Sequence, residues 1–97
     1  MKEIVVAVTG ASGALYAGRL LRALLLDGNG VHLVLSKYGR YLLREELGFR
    51  PDQETLTEFL IRLYGEEITA GTLREYSVAD QSSAIASGSV SYTHLTL

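Results

Sequence analysis

Cysteine is absent from this chain and histidine nearly so: of 97 residues, only His32 and His94 carry an imidazole. Without cysteine there are no disulfides and no thiolate metal sites, a usage that fits a reducing cytoplasm. Neither histidine has a partner at metal-ligand spacing, so no metal is expected and both read as structural or incidental. Charge of one sign is also scarce. Nine Lys and Arg against 11 Asp and Glu leave a formal net charge of −2, which makes no electrostatic case for nucleic acid or an anionic membrane surface. Long apolar runs are lacking too. Leu20–Leu26 contains Arg22 and is too short to cross a bilayer. Near the amino end, Gly10 and Gly13 interrupt the apolar stretch after Val8, so no secretory apolar region forms there. A soluble, cytoplasmic protein is expected, with neither nucleic acid nor membrane as partner.

What the chain does contain is a hydrophobic fraction of 47%, ordinary for a globular protein. Its length suits one small domain or a piece of a larger one, able to bury roughly two-thirds of its unfolded surface. Ile4–Val8 is five apolar residues in a row, four of them Val or Ile. Such a run belongs in a strand covered on both faces, as in a parallel sheet. It gives way to the small-residue turn Thr9-Gly10-Ala11-Ser12-Gly13. A helix over Ala14–Asp27 follows, ending at Gly28, with Leu20, Leu21, Leu24 and Leu25 as its buried stripe and Arg19 and Arg22 on its wet side. Asn29-Gly30 turns into a second buried strand, Val31–Leu35. Strand, helix and strand over this span make a βαβ unit, expected to be parallel and right-handed.

Beyond it, Lys37–Leu47 reads as a helix stopped by Gly48. Gln53–Tyr64 reads as a helix with Leu56, Phe59, Leu60 and Leu63 on one face. Thr72–Tyr76 suits a short strand, and Val78–Ser89 a small-residue loop. Two or three strands fall short of the about five or six of a doubly wound sheet. The chain therefore reads as the amino-terminal part of something longer.

Several residues carry candidate chemistry, each with a plainer alternative. A strand running into a glycine turn and a helix N-terminus presents unpaired N–H groups and the positive end of a helix dipole, a setting suited to phosphate; it also occurs as a mere tight connection. A nicotinamide dinucleotide requires G-x-G-x-x-G and an acidic residue closing the second strand. Here the spacing is Gly10-x-x-Gly13, Tyr16 stands where a third glycine would help, Gly18 falls two positions late, and the strand closes in Ser36-Lys37. NAD is disfavoured, and NADP survives only through Lys37. The Walker spacing is absent. Ser36 sits at the carboxyl end of the second strand, where open α/β sheets place ligand contacts; it equally suits an N-cap, and one hydroxyl serves both. Glu45 and Glu46 lie late on the second helix, where solvation alone accounts for a pair of glutamates. Tyr38 and Tyr41 are expected to pack. Ser87-Gly88-Ser89 is either an anion-binding nest or a linker.

Together, these stretches resemble the UbiX-type flavin prenyltransferase family. The resemblance rests on Val8-Thr9-Gly10-Ala11-Ser12-Gly13-Ala14 with Tyr16 and Arg19-Leu20-Leu21, on Val31–Lys37, on Glu46 ten residues past Ser36, and on Ala86-Ser87-Gly88-Ser89 after Asp80. It implies an α/β, Rossmann-like or flavodoxin-like fold, a three-layer parallel sheet truncated here to its N-terminal half. It also implies a homo-oligomeric enzyme that needs no metal and transfers a dimethylallyl group from dimethylallyl monophosphate to N5 and C6 of reduced FMN. The product, prenylated FMN, would serve UbiD-type decarboxylases, a setting that includes ubiquinone biosynthesis. By the same resemblance Gly10, Ala11, Ser12 and Ser36 would hold the flavin, and Ser12 would relay a proton near N5. Glu46 would be the acid–base group, its carboxyl tuned by burial, and Ser87, Gly88 and Ser89 would cradle the prenyl phosphate.

Past Ser89 the family continues into a strand ending in a Pro-Cys-Ser-type motif, whereas this chain reads Val90–Leu97. That octapeptide is what a transposase-adapter sequence from DNA library preparation encodes in one frame. Residues 1–89 are therefore expected to be the N-terminal part of a single flavoprotein domain, and 90–97 a non-native tail. Two rivals remain: a fragment of an NADP-linked short-chain reductase, and a non-catalytic α/β nucleotide-binding module.

Overall fold

The structure is a computed structural model that describes residues 2–8, 13–77 and 93–96. Its elements run β1 (Glu3–Val8), α1 (Ala14–Leu26), β2 (Gly30–Leu35), α2 (Lys37–Leu47), α3 (Leu56–Tyr64), a single 3-10 stretch (Glu66–Ala70), β3 (Thr72–Ser77) and β4 (Thr93–Thr96). The four strands form one sheet in the order β3-β2-β1-β4. Every pairing is parallel: Glu3 to Val8 of β1 lies in register with Gly30 to Leu35 of β2, and β2 in turn with Thr72 to Ser77 of β3.

The expected elements are present, with differences that local chemistry explains. α2 occupies the expected residues. α3 starts at Leu56 instead of Gln53, because Thr55 caps it: its hydroxyl accepts from the Glu58 N–H while the Glu58 carboxylate accepts from the Thr55 N–H. Leu63 was expected on the buried face, but it is exposed and Tyr64 packs there instead. β4 is an addition. Ile4 to Ala7 of β1 pairs with Thr93 to Thr96, within the segment expected to be a tail.

Alternation along the strands divides the sheet into two faces. Ile4, Val6 and Val8 with Val31, Leu33 and Leu35 join Ala17, Leu21 and Leu25 of α1, Leu43 of α2 and Phe59 and Leu60 of α3 in one core. Three consecutive helices thus cover the same side of the sheet. Val5 and Val34, also buried, pack on the other side with Ala7 and Tyr76. There the Glu3 carboxylate meets His32 Nε2 at 2.7 Å, and the Tyr76 hydroxyl meets Nδ1 at 3.0 Å, tying β1, β2 and β3 together. His32 is structural, as expected.

Gly18 also finds its explanation in the core. A Cβ at this helical position would stand 2.6 Å from the Tyr64 hydroxyl and 3.2 Å from Leu47 Cδ1. The glycine admits the Tyr64 phenol, whose hydroxyl is buried without a hydrogen-bond partner among the described residues. An unsatisfied buried hydroxyl costs on the order of 1–3 kcal/mol. Tyr64→Phe is accordingly expected to raise the unfolding free energy by about 1 kcal/mol in urea denaturation. Gly18→Ala is expected to cost about 1–3 kcal/mol in the parent background and distinctly less beside Tyr64→Phe. Equal costs in both backgrounds would show that the hydroxyl is not what the glycine accommodates.

The start of α2 yields a second expectation. Ser36 is its N-cap, with Oγ accepting from the Gly39 N–H at 2.9 Å. Ser36→Ala is expected to lower stability by about 1 kcal/mol, and Ser36→Asn to restore most of it, in the same denaturation assay.

Candidate functional site

Parallel pairing brings the carboxyl ends of β1 and β2 side by side, Val8 opposite Leu35. Each strand leads toward a helix whose first turn stands at that edge of the sheet, the place where open α/β sheets bind ligands. The edge is drawn together by main-chain contact. The Ser36 N–H donates to the Val8 carbonyl at 3.1 Å. A Cβ on Gly39 would stand 2.7 Å from that same carbonyl oxygen, so only glycine lets α2 approach so closely.

The two helices begin differently. α2 has its own cap in Ser36. α1 has none among the described residues: Gly13 precedes it with φ +84° and ψ 156° and offers no side chain, and its first turn holds no acidic residue. The acceptor comes from 32 residues away. Glu46, in the last turn of α2, places Oε1 3.1 Å from the Ala14 nitrogen, and the Ala14 N–H donates to it. A carboxylate at the positive end of a helix is electrostatically favoured.

The two adjacent glutamates are thereby told apart. Glu45 is exposed. Glu46 lies three residues past Leu43 and four past Leu42, both buried, so helical spacing sets it at the margin of the buried face. Solvation is not all that holds it, because its carboxylate accepts from the Ala14 amide. Nor is it buried as the acid–base reading supposed: the residue is exposed overall, and the Ala14 amide is what constrains its carboxyl. The partnership of Glu46 with Ala14 was not foreseen from the sequence. The signals for it were present in the placement of Glu46 at the margin of the buried face of α2 and in the glycine before α1.

Ser36 and Glu46 are thus both set at the carboxyl edge of the sheet, each bonded to the first turn of a helix. Gly10, Ala11, Ser12, Ser87, Gly88 and Ser89 lie outside the described residues. Around the edge, Leu15 and Tyr16 on the first turn of α1 are exposed, and so are Tyr38 and Tyr41 on α2. The expectation that Tyr38 and Tyr41 pack into the protein is corrected: one turn apart on the open face of α2, their rings stack on each other, centroids 6.0 Å apart and planes at 14°. Among the described residues no group of three or more His, Asp or Glu could hold a metal ion, and no helix is long and apolar enough to cross a membrane.

No protein-family model matches the chain. Individual relatives do. A mitochondrial flavin prenyltransferase, PAD1, of Saccharomyces cerevisiae is 35% identical over 88 residues, covering 91% of this chain and 31% of the yeast protein. A probable UbiX-like flavin prenyltransferase of Bacillus subtilis is 37% identical over 87 residues, covering 90% of this chain and 36% of its own length. The flavin prenyltransferase UbiX of Alkalihalophilus pseudofirmus is 35% identical over 88 residues, covering 91% and 42%. The crystal structure of AnUbiX (PadA1) in complex with FMN and dimethylallyl pyrophosphate superposes with a TM-score of 0.69 at 25% identity, over 98% of this chain and 44% of that one. The chain thus spans between 31% and 42% of the length of these three relatives. The strand–turn–helix opening, the parallel α/β fold and likeness over nine-tenths of the chain lead to one conclusion: this chain belongs to the UbiX-type flavin prenyltransferase family.

Proposed function

We propose that this chain is the amino-terminal part of an enzyme that transfers a dimethylallyl group from dimethylallyl monophosphate to reduced FMN, making prenylated FMN. The observation that carries the reading is the Glu46 carboxylate held at the first turn of α1, beside the carboxyl ends of β1 and β2. Residues at this edge fit a flavin. The Ser36 hydroxyl offers a polar contact, the first turns of α1 and α2 converge there, and Leu15, Tyr16, Tyr38 and Tyr41 leave apolar and aromatic surface exposed beside them.

In this reading Gly10, Ala11, Ser12 and Ser36 hold the flavin. When bound, the reduced flavin supplies N5 and C6 as the atoms that take the prenyl group. Ser12 relays a proton near N5. Glu46 gives a proton to the departing phosphate and takes the one lost from C6, a role that needs a carboxyl within hydrogen-bond reach or one water away. Ser87, Gly88 and Ser89 cradle the phosphate. An allylic leaving group departs readily, so the protein mainly positions the reactants and neutralises the phosphate. The product would pass to a UbiD-type decarboxylase, and the whole enzyme would be a cytoplasmic homo-oligomer.

The same reading makes residues 1–89 one part of a single flavoprotein domain and 90–97 a non-native tail. Pairing of Thr93–Thr96 with β1 is compatible with that, because a parallel ladder is made by main-chain groups and tolerates many sequences. The source nucleotides test the point: an adapter match supports it, and a genuine reading frame without one contradicts it.

Activity is tested in a chimera that joins residues 1–89 to the remainder of the Bacillus subtilis relative, supplied with FMN, reductant and dimethylallyl monophosphate. A change in flavin absorbance on adding the prenyl donor is expected. Glu46→Gln is expected to reduce turnover by roughly 100-fold or more with FMN still bound. A folded, flavin-loaded chimera with no absorbance change, or a Glu46→Gln variant of undiminished turnover, would contradict the reading.

A further inference from the structure

We infer that Gly13 and the Ala14 amide are positioning residues for Glu46: they fix one carboxylate oxygen at the first turn of α1 and leave the other as the one available to a reacting proton. The inference deepens the reading of Glu46 as the proton-transfer group and rests on it.

Among the described residues, helix α1 begins without a side-chain cap of its own. The N–H groups that open a helix have no intrahelical partner, and neither Gly13, which has no side chain, nor an acidic residue in that turn supplies one to Ala14. The acceptor that arrives is a carboxylate from another helix. Glu46 is exposed, and a long exposed side chain ordinarily spreads over several rotamers, whose loss costs entropy. Catalysis by a carboxyl needs it already placed. The Ala14 N–H provides that placement with one charge-assisted bond, and packing of α1 and α2 into one core, to which Ala17 and Leu43 belong, sets the distance over which the side chain must reach.

Gly13 determines where the Ala14 N–H points. Its φ of +84° with ψ 156° is a conformation essentially reserved for glycine. Among the described residues, space is not the reason for the glycine. A Cβ there would meet Glu46 Oε1 at 3.9 Å, an ordinary contact. The requirement is conformational: a side chain would drive the backbone away from positive φ and turn the following amide with it. The turn after β1 thus has a role besides any ligand contact, that of aiming a carboxyl carried by α2.

The test uses the 97-residue chain, labelled with 15N and 13C, in a pH titration that follows the Ala14 amide and the Glu46 side-chain carboxyl by NMR. In the parent chain the amide is expected to shift in one step with the same midpoint as the Glu46 carboxyl. In Glu46→Gln that step should vanish while the amide stays hydrogen-bonded. In Gly13→Ala the carboxyl should still titrate and the Ala14 amide should no longer follow it. Ala14→Pro removes the donor and puts a ring carbon where the carboxylate oxygen is held, at a helix position that accepts proline, and guards against a Gly13→Ala variant that fails to fold. In it the Leu15 and Tyr16 amides should lose any step that depends on Glu46. An Ala14 amide indifferent to Glu46 in the parent, or coupling that survives Gly13→Ala intact, would overturn the inference. These readouts need no turnover, so failure of the proton-transfer reading, seen as an active Glu46→Gln chimera, remains a separate result.

Discussion

The six-residue parallel register between β1 and β2 is the constraint on which the rest of this structure depends. It comes from two apolar runs that exclude water from both faces of each strand. Because the strands run the same way, their carboxyl ends fall at one edge, and so do the helix starts that follow them. The residues of the candidate site in the described part of the chain are at that edge: Ser36 capping α2, Glu46 reaching α1, and the glycine before α1. A slip of one residue would exchange the two faces of a strand. Ile4, Val6 and Val8 would then leave the helix layer, and the Val8 carbonyl would lose its contacts with Ser36 and Gly39.

The helices complete the arrangement by packing on the same face. α1 and α2 lie close enough for a side chain of one to satisfy an amide of the other, and this cross-helix bond is the side-chain cap that α1 has among the described residues. Glycine permits the close approaches. Gly39 lets α2 press against the end of β1, and Gly18 lets α1 accept Tyr64. On the opposite face the Glu3–His32–Tyr76 contacts knit three strands without involving the candidate site.

Much of this was legible in the sequence because the signals are local. The apolar runs give β1 and β2, the Leu and Ala pattern with its closing Gly28 gives α1, and Ser36 and Gly48 bracket α2. Family likeness follows from motifs in order: the glycine turn, Ser36, Glu46 and Ser87-Gly88-Ser89. What escaped the sequence depends on tertiary distance. The Thr55–Glu58 capping box set the start of α3 later than the turn residues suggested. Tyr38 and Tyr41 are aromatic and helical, yet α2 turns them outward, and only the packing of α2 decides that. The strand Thr93–Thr96 forms on an edge that β1 offers, whatever composition suggests. For Glu46 the expectation of burial failed, and what constrains its carboxyl is the N-terminus of a helix 32 residues away in sequence.

The central claim is that the carboxyl edge of β1 and β2, with Ser36 and the first turn of α1, is a flavin site. It is tested most directly by titrating FMN into 15N-labelled chimera, containing residues 1–89 within a protein of the relatives' length, and following backbone amides. Shifts are expected to concentrate at Gly13–Tyr16 and Ser36–Gly39, with Leu56–Tyr64 of α3 unaffected. Binding that leaves both helix starts unmoved, or no binding by a folded chimera, would contradict it.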